Sequence, residues 1–329
     1  MDYIKTIHIG EYNTGHIQGI AIDKDRKYIY CSFTTCLIKA DMQGNVVGSV
    51  KGLAGHLGCI AFNEEDGRIY GSLEYKHDKI GQNILNNLEN KKEVQDGFYI
   101  AIFDIEKIDR MDMDAEKDGI MTAVYLKEVL DDYTAKGHRY GCSGIDGTTF
   151  APLPGSDDKK KYLYVAYGIY CDLDRTDNDN QVILRYDISD WKQYERSLNQ
   201  SDMHTNGPIQ CDEKYFVYTG NTRYGIQNLE YDPVTGYMFA AVYRGQKPQF
   251  PNYPMYVFDI SGSDISVAKI GKLHEGSGIY GFDFPYGATG IISLGDGYFY
   301  FSQNYKNDNG YGSYIKLYKF DEVQGFIEA

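Results

Sequence analysis

Apolar residues recur at every second position in short runs along this chain, and the runs fall into five units of one design. The first unit reads Gly19-Ile20-Ala21-Ile22, turns over residues 23–27 and resumes as Tyr28-Ile29-Tyr30-Cys31-Ser32. The second reads Gly58-Cys59-Ile60-Ala61-Phe62, turns at Asp66-Gly67 and resumes as Arg68-Ile69-Tyr70-Gly71-Ser72. The third joins Gly144-Ile145-Asp146-Gly147 to Tyr162-Leu163-Tyr164-Val165-Ala166 by a longer turn rich in Pro, Gly, Asp and Lys. The fourth joins Asn228-Leu229-Glu230-Tyr231 to Tyr237-Met238-Phe239-Ala240-Ala241 through Asp232-Pro233-Val234-Thr235-Gly236. The fifth joins Gly290-Ile291-Ile292-Ser293 to Tyr298-Phe299-Tyr300-Phe301-Ser302 through Gly295-Asp296-Gly297. β-Branched and aromatic side chains suit a pleated surface, and Gly, Asp and Asn accept the left-handed backbone of tight turns, so each unit predicts a β-hairpin.

A third strand follows each hairpin, at residues 37–41, 100–105, 183–188, 256–260 and 315–320, and the first four carry the same Asp (Asp41, Asp104, Asp187, Asp259). Outer strands fit residues 46–50, 121–129, 215–219 and 265–270. The last unit has no evident fourth strand, while Tyr3-Ile4-Lys5-Thr6-Ile7-His8-Ile9 has no hairpin partner. Pairing these two loose ends removes an exposed edge. The sequence therefore predicts an all-β fold, a five-bladed β-propeller of four-stranded antiparallel blades whose ring is closed by the N-terminal strand.

The expected blades are 10–52, 53–136, 137–220, 221–278 and 279–329 plus 1–9, in one domain of 1–329. Units starting at 20, 60, 145, 229 and 291 lie 40, 85, 84 and 62 residues apart. Four strands need roughly 40 to 50 residues. The excess is assigned to loops at 75–97, 168–180 and 244–253 and to helix-capable stretches at 106–118 and 189–199.

Composition narrows the function. No run of eighteen apolar residues appears, so no membrane span is expected, and a formal charge of −14 without a basic stripe argues against nucleic acid. The first residues enter a strand pattern without the basic and apolar regions of a leader, which predicts a cytoplasmic chain, or an extracellular one had a leader been removed. The six cysteines form no C-x-x-C pair and read as buried thiols. Most of the 32 tyrosines read as sheet packing, although Tyr also stacks on sugars.

In an antiparallel blade, the loop leading into the innermost strand and the loop from second to third strand emerge on one face, so both sets converge at one mouth of the ring. Four of the seven histidines fall in these loops (His16, His56, His77, His138). Imidazole exchanges protons near neutral pH, and a carboxylate at the mouth is its natural partner. The candidate catalytic residues are therefore His16, His56, Glu74 and Tyr140. Gln18, Lys76, Arg139, Tyr170, Tyr224, Asn228, Arg244, Tyr286, Gln303 and Asn304 are the candidate substrate-binding residues, with Arg139 and Arg244 suited to an anionic group. Polar loop residues can equally hydrogen-bond the backbone around a narrow axis. The acidic segment holding Asp172, Asp174, Asp177 and Asp179 is a possible Ca²⁺ site, although the turn glycine and closing glutamate of a calcium loop are missing. No hydrolase elbow, zinc-protease, Walker or dinucleotide motif occurs.

On these five repeats the chain resembles the five-bladed propellers, which include furanoside-cleaving glycosidases, calcium-activated nucleotidases and sugar-binding lectins. The resemblance covers nearly the whole chain and rests on architecture. Among furanosidases it implies a catalytic carboxylate at the mouth in the first blade; here that loop offers His16 and Gln18, and Asp23 lies at the far end of its strand. A carbohydrate-active enzyme, a glycoside hydrolase or polysaccharide lyase acting on a sugar, with acidic sugars among the candidates, is the leading expectation. The alternatives are a non-catalytic propeller binding a glycan or protein, and a calcium-dependent nucleotidase. The implied partner is a small molecule or oligosaccharide.

Overall fold

The computed structural model describes residues 3–86 and 94–329; Met1, Asp2 and part of the loop expected at 75–97 lie outside the described residues. Five antiparallel sheets are arranged as blades. Blade 1 comprises Ile17–Ile22, Tyr28–Phe33, Cys36–Asp41 and Val46–Lys51. Blade 2 comprises His56–Asn63, Arg68–Tyr75, Gly97–Phe103 and Met121–Tyr125. Blade 3 comprises Cys142–Pro152, Lys161–Ile169, Asn180–Tyr186 and Glu213–Tyr218. Blade 4 comprises Arg223–Tyr231, Tyr237–Tyr243, Met255–Asp259 and Ser266–Val267. Blade 5 begins with Ile291–Ser293, Tyr298–Asn307 and Gly310–Asp321. The innermost strands contact one another in ring order, from blade 1 round to blade 5 and back.

Closure follows the expectation, with an addition. Thr6–Tyr12 pairs with residues 311–316, and the C-terminal strand Gly325–Glu328 pairs with residues 318–321 of the same strand. The two chain ends meet at Leu317, whose N–H donates to the Lys5 carbonyl at 2.9 Å and whose carbonyl accepts the Ala329 N–H at 3.0 Å.

The period-two pattern has a specific meaning here. Tyr30 faces the core between blades 1 and 2, whereas its neighbours Ile29 and Cys31 face the core between blades 5 and 1. Tyr70 and Ile69, Tyr164 and Leu163, Met238 and Phe239, and Tyr300 and Phe299 divide in the same way. Alternate side chains thus go to different inter-blade cores, and both faces are dry, which is why these strands read as nearly continuous apolar runs. The buried tyrosines donate their hydroxyls either to backbone carbonyls, as Tyr164 does to Pro152 at 2.8 Å and Tyr300 to Ile4 at 2.7 Å, or to side chains, as Tyr167 does to Asp132 at 2.8 Å.

The expected outer strand at 121–129 ends at Tyr125 and gives way to the helix Lys127–Thr134. Leu126, Val129, Leu130 and Tyr133 recur at helical spacing and pack on blades 2 and 3, so the 3.6-residue period prevails over the strand reading. The stretches at 106–118 and 189–199 hold no α-helix: the first has the 3₁₀ turn Ile105–Lys107 and a short strand, Met113–Asp114, that pairs in parallel with Val46–Lys51 of blade 1, and the second has the 3₁₀ turn Trp191–Gln193. No helix among the described residues is long and apolar enough to cross a membrane.

Candidate functional site

The innermost hairpins of blades 1 to 4 each carry a register irregularity at their mouth end, between Ile17 and Gly19, Leu57 and Ile60, Cys142 and Gly144, and Arg223 and Ile226. An extra residue in one strand re-aims the side chains beside it. The corresponding pair in blade 5 runs in regular register. Blades 1 to 4 enclose a cavity of about 240 Å³, lined by His16, Gln18 and Thr34, by His56, Glu74 and Lys76, by Ser143, Ile145, Asp146 and Gly168, and by Tyr224, Gln227 and Tyr243. Blade 5 supplies none of its lining.

Two carboxyl groups are seated over glycines. A Cβ at Gly144, whose φ is +129°, would lie 2.0 Å from Glu74 Oε2, and one at Gly58 would lie 2.1 Å from Asp146 Oδ1. Only a residue without a side chain leaves room for either carboxyl. Glu74 Oε2 accepts the Ile145 N–H at 3.1 Å, and Asp146 Oδ1 accepts the Cys59 N–H at 3.3 Å. Lys76 Nζ lies 2.5 Å from Glu74 Oε1, 2.9 Å from the Ser143 carbonyl and 3.6 Å from Asp78 Oδ2. Burial alone would depress this ammonium, but Glu74 and Asp78 outweigh it and hold it above its ordinary pKa.

Burial, reinforced by the Glu74 charge, raises the Asp146 carboxyl well above the usual carboxylate range, with Lys76 opposing. Burial also raises Glu74, again against Lys76. The imidazoles move the other way. Burial lowers His16, and burial followed by the Lys76 charge lowers His56 to about 3. Neutral His16 has a definite set of partners: Gln18 Nε2 lies 3.3 Å from its Nδ1, and its Nε2 lies 3.2 Å from the Tyr243 hydroxyl. With the Gln18 amide donating to Nδ1, the ring proton sits on Nε2. The His56 Nδ1 is buried without a hydrogen-bond partner, 3.7 Å from Glu74 Oε1.

Of the expected catalytic residues, His16, His56 and Glu74 converge on this cavity; Gln18, Lys76 and Tyr224 join them. Tyr140 does not: its ring packs on Phe216 under the Lys214 ammonium, away from the cavity lining. Arg139 is bound to Asp132 at 2.6 Å and Arg244 to Asp283 at 2.6 Å, so neither offers its charge to the mouth. Asn228 donates to the Gln18 and Ala288 carbonyls, and Asn304 to the Ile17 carbonyl, which makes both of them stitches between blades. Gln303 donates to the Tyr318 hydroxyl, Tyr286 packs on Phe284, and Tyr170 reaches only as far as Asp78, at 3.3 Å.

The four loop aspartates do not share a point. Asp172 accepts the Asp174 N–H, Asp177 pairs with Arg175 at 2.7 Å, and Asp179 receives the buried Lys247 ammonium at 2.5 Å. Asn178 Oδ1 accepts from the same ammonium at 3.0 Å, so a lysine fills the place expected for Ca²⁺. Among the described residues no cluster of three His, Cys, Asp or Glu could hold a metal ion.

Thr34, Ser143, Ile145, Asp146, Gly168, Gln227 and Tyr243 line the cavity without being among the sequence candidates, and Asp146 is the carboxylate among them. It sits within the innermost strand of blade 3, where period-two counting assigns core positions. Its signal was chemical: a carboxylate in a strand position that three of the other four units fill with apolar residues (Ala21, Ala61, Ile292), the fourth carrying Glu230.

No protein-family model matches the chain, and no curated sequence matches it significantly. Among solved structures, it is similar to a GH43 β-1,3-galactosidase with bound galactodeoxynojirimycin, at 11% identity over 97% of this chain and 98% of that one, with a TM-score of 0.48. It is similar to the PQQ domain of pyranose dehydrogenase from Coprinopsis cinerea, at 11% identity over 91% and 81% of the two chains, with a TM-score of 0.45. A nidogen/laminin complex aligns at 11% identity over 93% and 76%, with a TM-score of 0.41. Likeness of this size assigns no activity. The blades themselves identify the chain as a five-bladed β-propeller.

Proposed function

We propose that the mouth cavity is the active site of a glycoside hydrolase acting on a single neutral sugar unit. The observation that carries this reading is the opposed pair Asp146 and His16, a carboxyl that burial pushes toward its protonated form and an imidazole that burial pushes toward its neutral form, lining one cavity. Environments that push two titratable groups apart in this way assign an acid and a base. Asp146 is suited to protonate the leaving oxygen, and His16 to take a proton from water at Nδ1 once water replaces the Gln18 amide there. Beside the Glu74–Lys76 pair, Gln18, Thr34, Ser143, Gln227, Tyr224 and Tyr243 line the cavity with neutral hydrogen-bonding groups that match hydroxyls. The volume is below the range usual for drug-sized ligands, which favours one ring over an extended chain.

The cations expected to hold an acidic sugar are committed elsewhere. Among the described residues Lys76 is the only Lys or Arg lining the cavity, and its ammonium is already surrounded by Glu74, Asp78 and the Ser143 carbonyl. A lyase needs a free positive group beside a uronate, so hydrolysis of a neutral sugar fits better. The clamped state of Glu74 favours a second reading, a non-catalytic sugar-binding cup in which the Glu74–Lys76 pair is architecture.

The test is a panel of neutral and uronate-containing glycosides, with turnover and binding measured separately. Hydrolysis of a neutral member, reduced by about 10² to 10⁴ in Asp146→Asn and His16→Ala with binding retained, is the expected result. Binding without turnover on every member would transfer the cavity to the second reading. Turnover confined to uronates would refute the neutral-sugar assignment.

A further inference from the structure

The innermost strands run from the mouth to the hairpin turns, so their far ends define the opposite pole of the axis. A second cavity of about 280 Å³ opens there, and unlike the first it is lined by all five blades. Ile22, Ile60 and Ile292 contribute apolar surface, and Glu230 comes from the innermost strand of blade 4.

The charged groups around this cup differ in how far they are satisfied. Lys161 pairs with Glu64 at 3.2 Å. Arg26 donates to the Tyr3 hydroxyl and the Leu294 carbonyl. Asp23 accepts the N–H groups of Lys27 and Tyr28, and Lys24 is an exposed rim residue. Asp232, two residues beyond Glu230, is taken by the Ser293 and Thr235 hydroxyls at 2.6 Å and 2.8 Å. Glu230 accepts the Ser293 N–H at 2.8 Å through Oε1, and its Oε2 has no corresponding donor among the described residues. Lys24, Arg26 and Lys161 also line the cup, but none of them makes a hydrogen bond or ion pair to Glu230 among the described residues. A half-buried carboxylate without a cation in contact is costly, and either a proton or a ligand charge relieves it.

We propose that this second cup is a binding site for a small organic cation, a guanidinium or quaternary ammonium, whose charge rests on Glu230 and whose alkyl part covers the apolar floor. The proposal is independent of the chemistry at the other pole. It has a proton linkage. Burial raises the Glu230 carboxyl to about 8, with the Ser293 N–H and Lys161 opposing and Asp232 adding to the rise. The free site therefore holds a proton at neutral pH, and a cation must displace it. Below that value the apparent affinity falls about tenfold for each pH unit, so pH 6 and pH 9 differ by about 100-fold.

The experiment is calorimetric titration of the full chain with ethylguanidinium, which keeps its charge across the range, and with ethylurea as the neutral isostere. The expected result is saturable ethylguanidinium binding that is about 100-fold tighter at pH 9 than at pH 6, with proton release near pH 7 and weak, pH-independent binding of ethylurea. Glu230→Gln should abolish the pH dependence and weaken binding at pH 9 at least tenfold, while Asp146→Asn retains both. Unchanged circular dichroism establishes that each variant is folded. No saturable binding, equal affinity for ethylurea, or wild-type behaviour in Glu230→Gln would overturn the proposal.

Discussion

Replacing Lys76 by Met isolates the strongest electrostatic commitment at the mouth. Lys76 and Glu74 are each 6% exposed and 2.5 Å apart, and without the ammonium the Glu74 carboxylate keeps only the Ile145 N–H, at 3.1 Å. Removing one partner of a buried pair costs about 3 to 5 kcal/mol. An upper limit follows from the escape route, which is protonation. Bringing a carboxyl of ordinary pKa 4.5 into its neutral form costs about 1.4 kcal/mol per pH unit, hence about 4 kcal/mol at pH 7.5 and about 1.4 kcal/mol at pH 5.5. The sign is that of a raised carboxyl: the folded variant binds a proton that the unfolded chain releases, so stability is recovered as pH falls. Urea unfolding followed by Trp191 fluorescence at the two pH values measures this. Lys76→Met should lose about 4 kcal/mol at pH 7.5 and markedly less at pH 5.5, and the double variant Lys76→Met/Glu74→Gln should recover most of the loss with no pH dependence. An equal loss at both pH values, or a double variant no better than the single one, would refute the buried-pair argument.

Asp146→Asn should stabilise the protein at pH 8 relative to pH 5, because the native carboxyl is raised and its contribution is lost as pH rises; a wild-type fall in stability with rising pH that persists undiminished in the variant would count against this. Gly144→Ala should cost about 3 kcal/mol, combining a left-handed φ with a Cβ placed on Glu74 Oε2. Gly236→Ala, at φ +73° with open space around it, should cost only about 1 kcal/mol, and thermal melts of the two distinguish the clash from the backbone term. Lys247→Met should cost about 3 kcal/mol by stranding Asp179, and adding Asp179→Asn should restore much of it in chemical unfolding.

The fold was legible because a hairpin followed by a third strand leaves a strong local trace, and five traces of one kind close a ring. His16, His56 and Glu74 could be placed together because strand topology alone decides which loops share a mouth. Arg139 and Arg244 could not be dismissed, since their partners Asp132 and Asp283 are fixed by side-chain packing. Asp146 escaped for a related reason: the irregular register of the third inner hairpin turns a nominal core position toward the axis, and period-two counting has no means of anticipating an extra residue. The helix Lys127–Thr134 was hidden by apolar residues compatible with either period over so short a span.

The meeting of both chain ends at Leu317 makes blade 5 separable in an unusual sense. Gly325–Glu328 and Thr6–Tyr12 run in the same direction along one neighbour, so together they amount to a single outer strand with a cut in it. A short covalent linker across that cut would turn it into one continuous segment, and the chain could then be opened elsewhere, for example at the turn carrying Gly236, where the backbone is surrounded by open space. Such a circular permutant keeps every blade while moving the free ends next to the Glu230 pole, within reach of a tether or reporter.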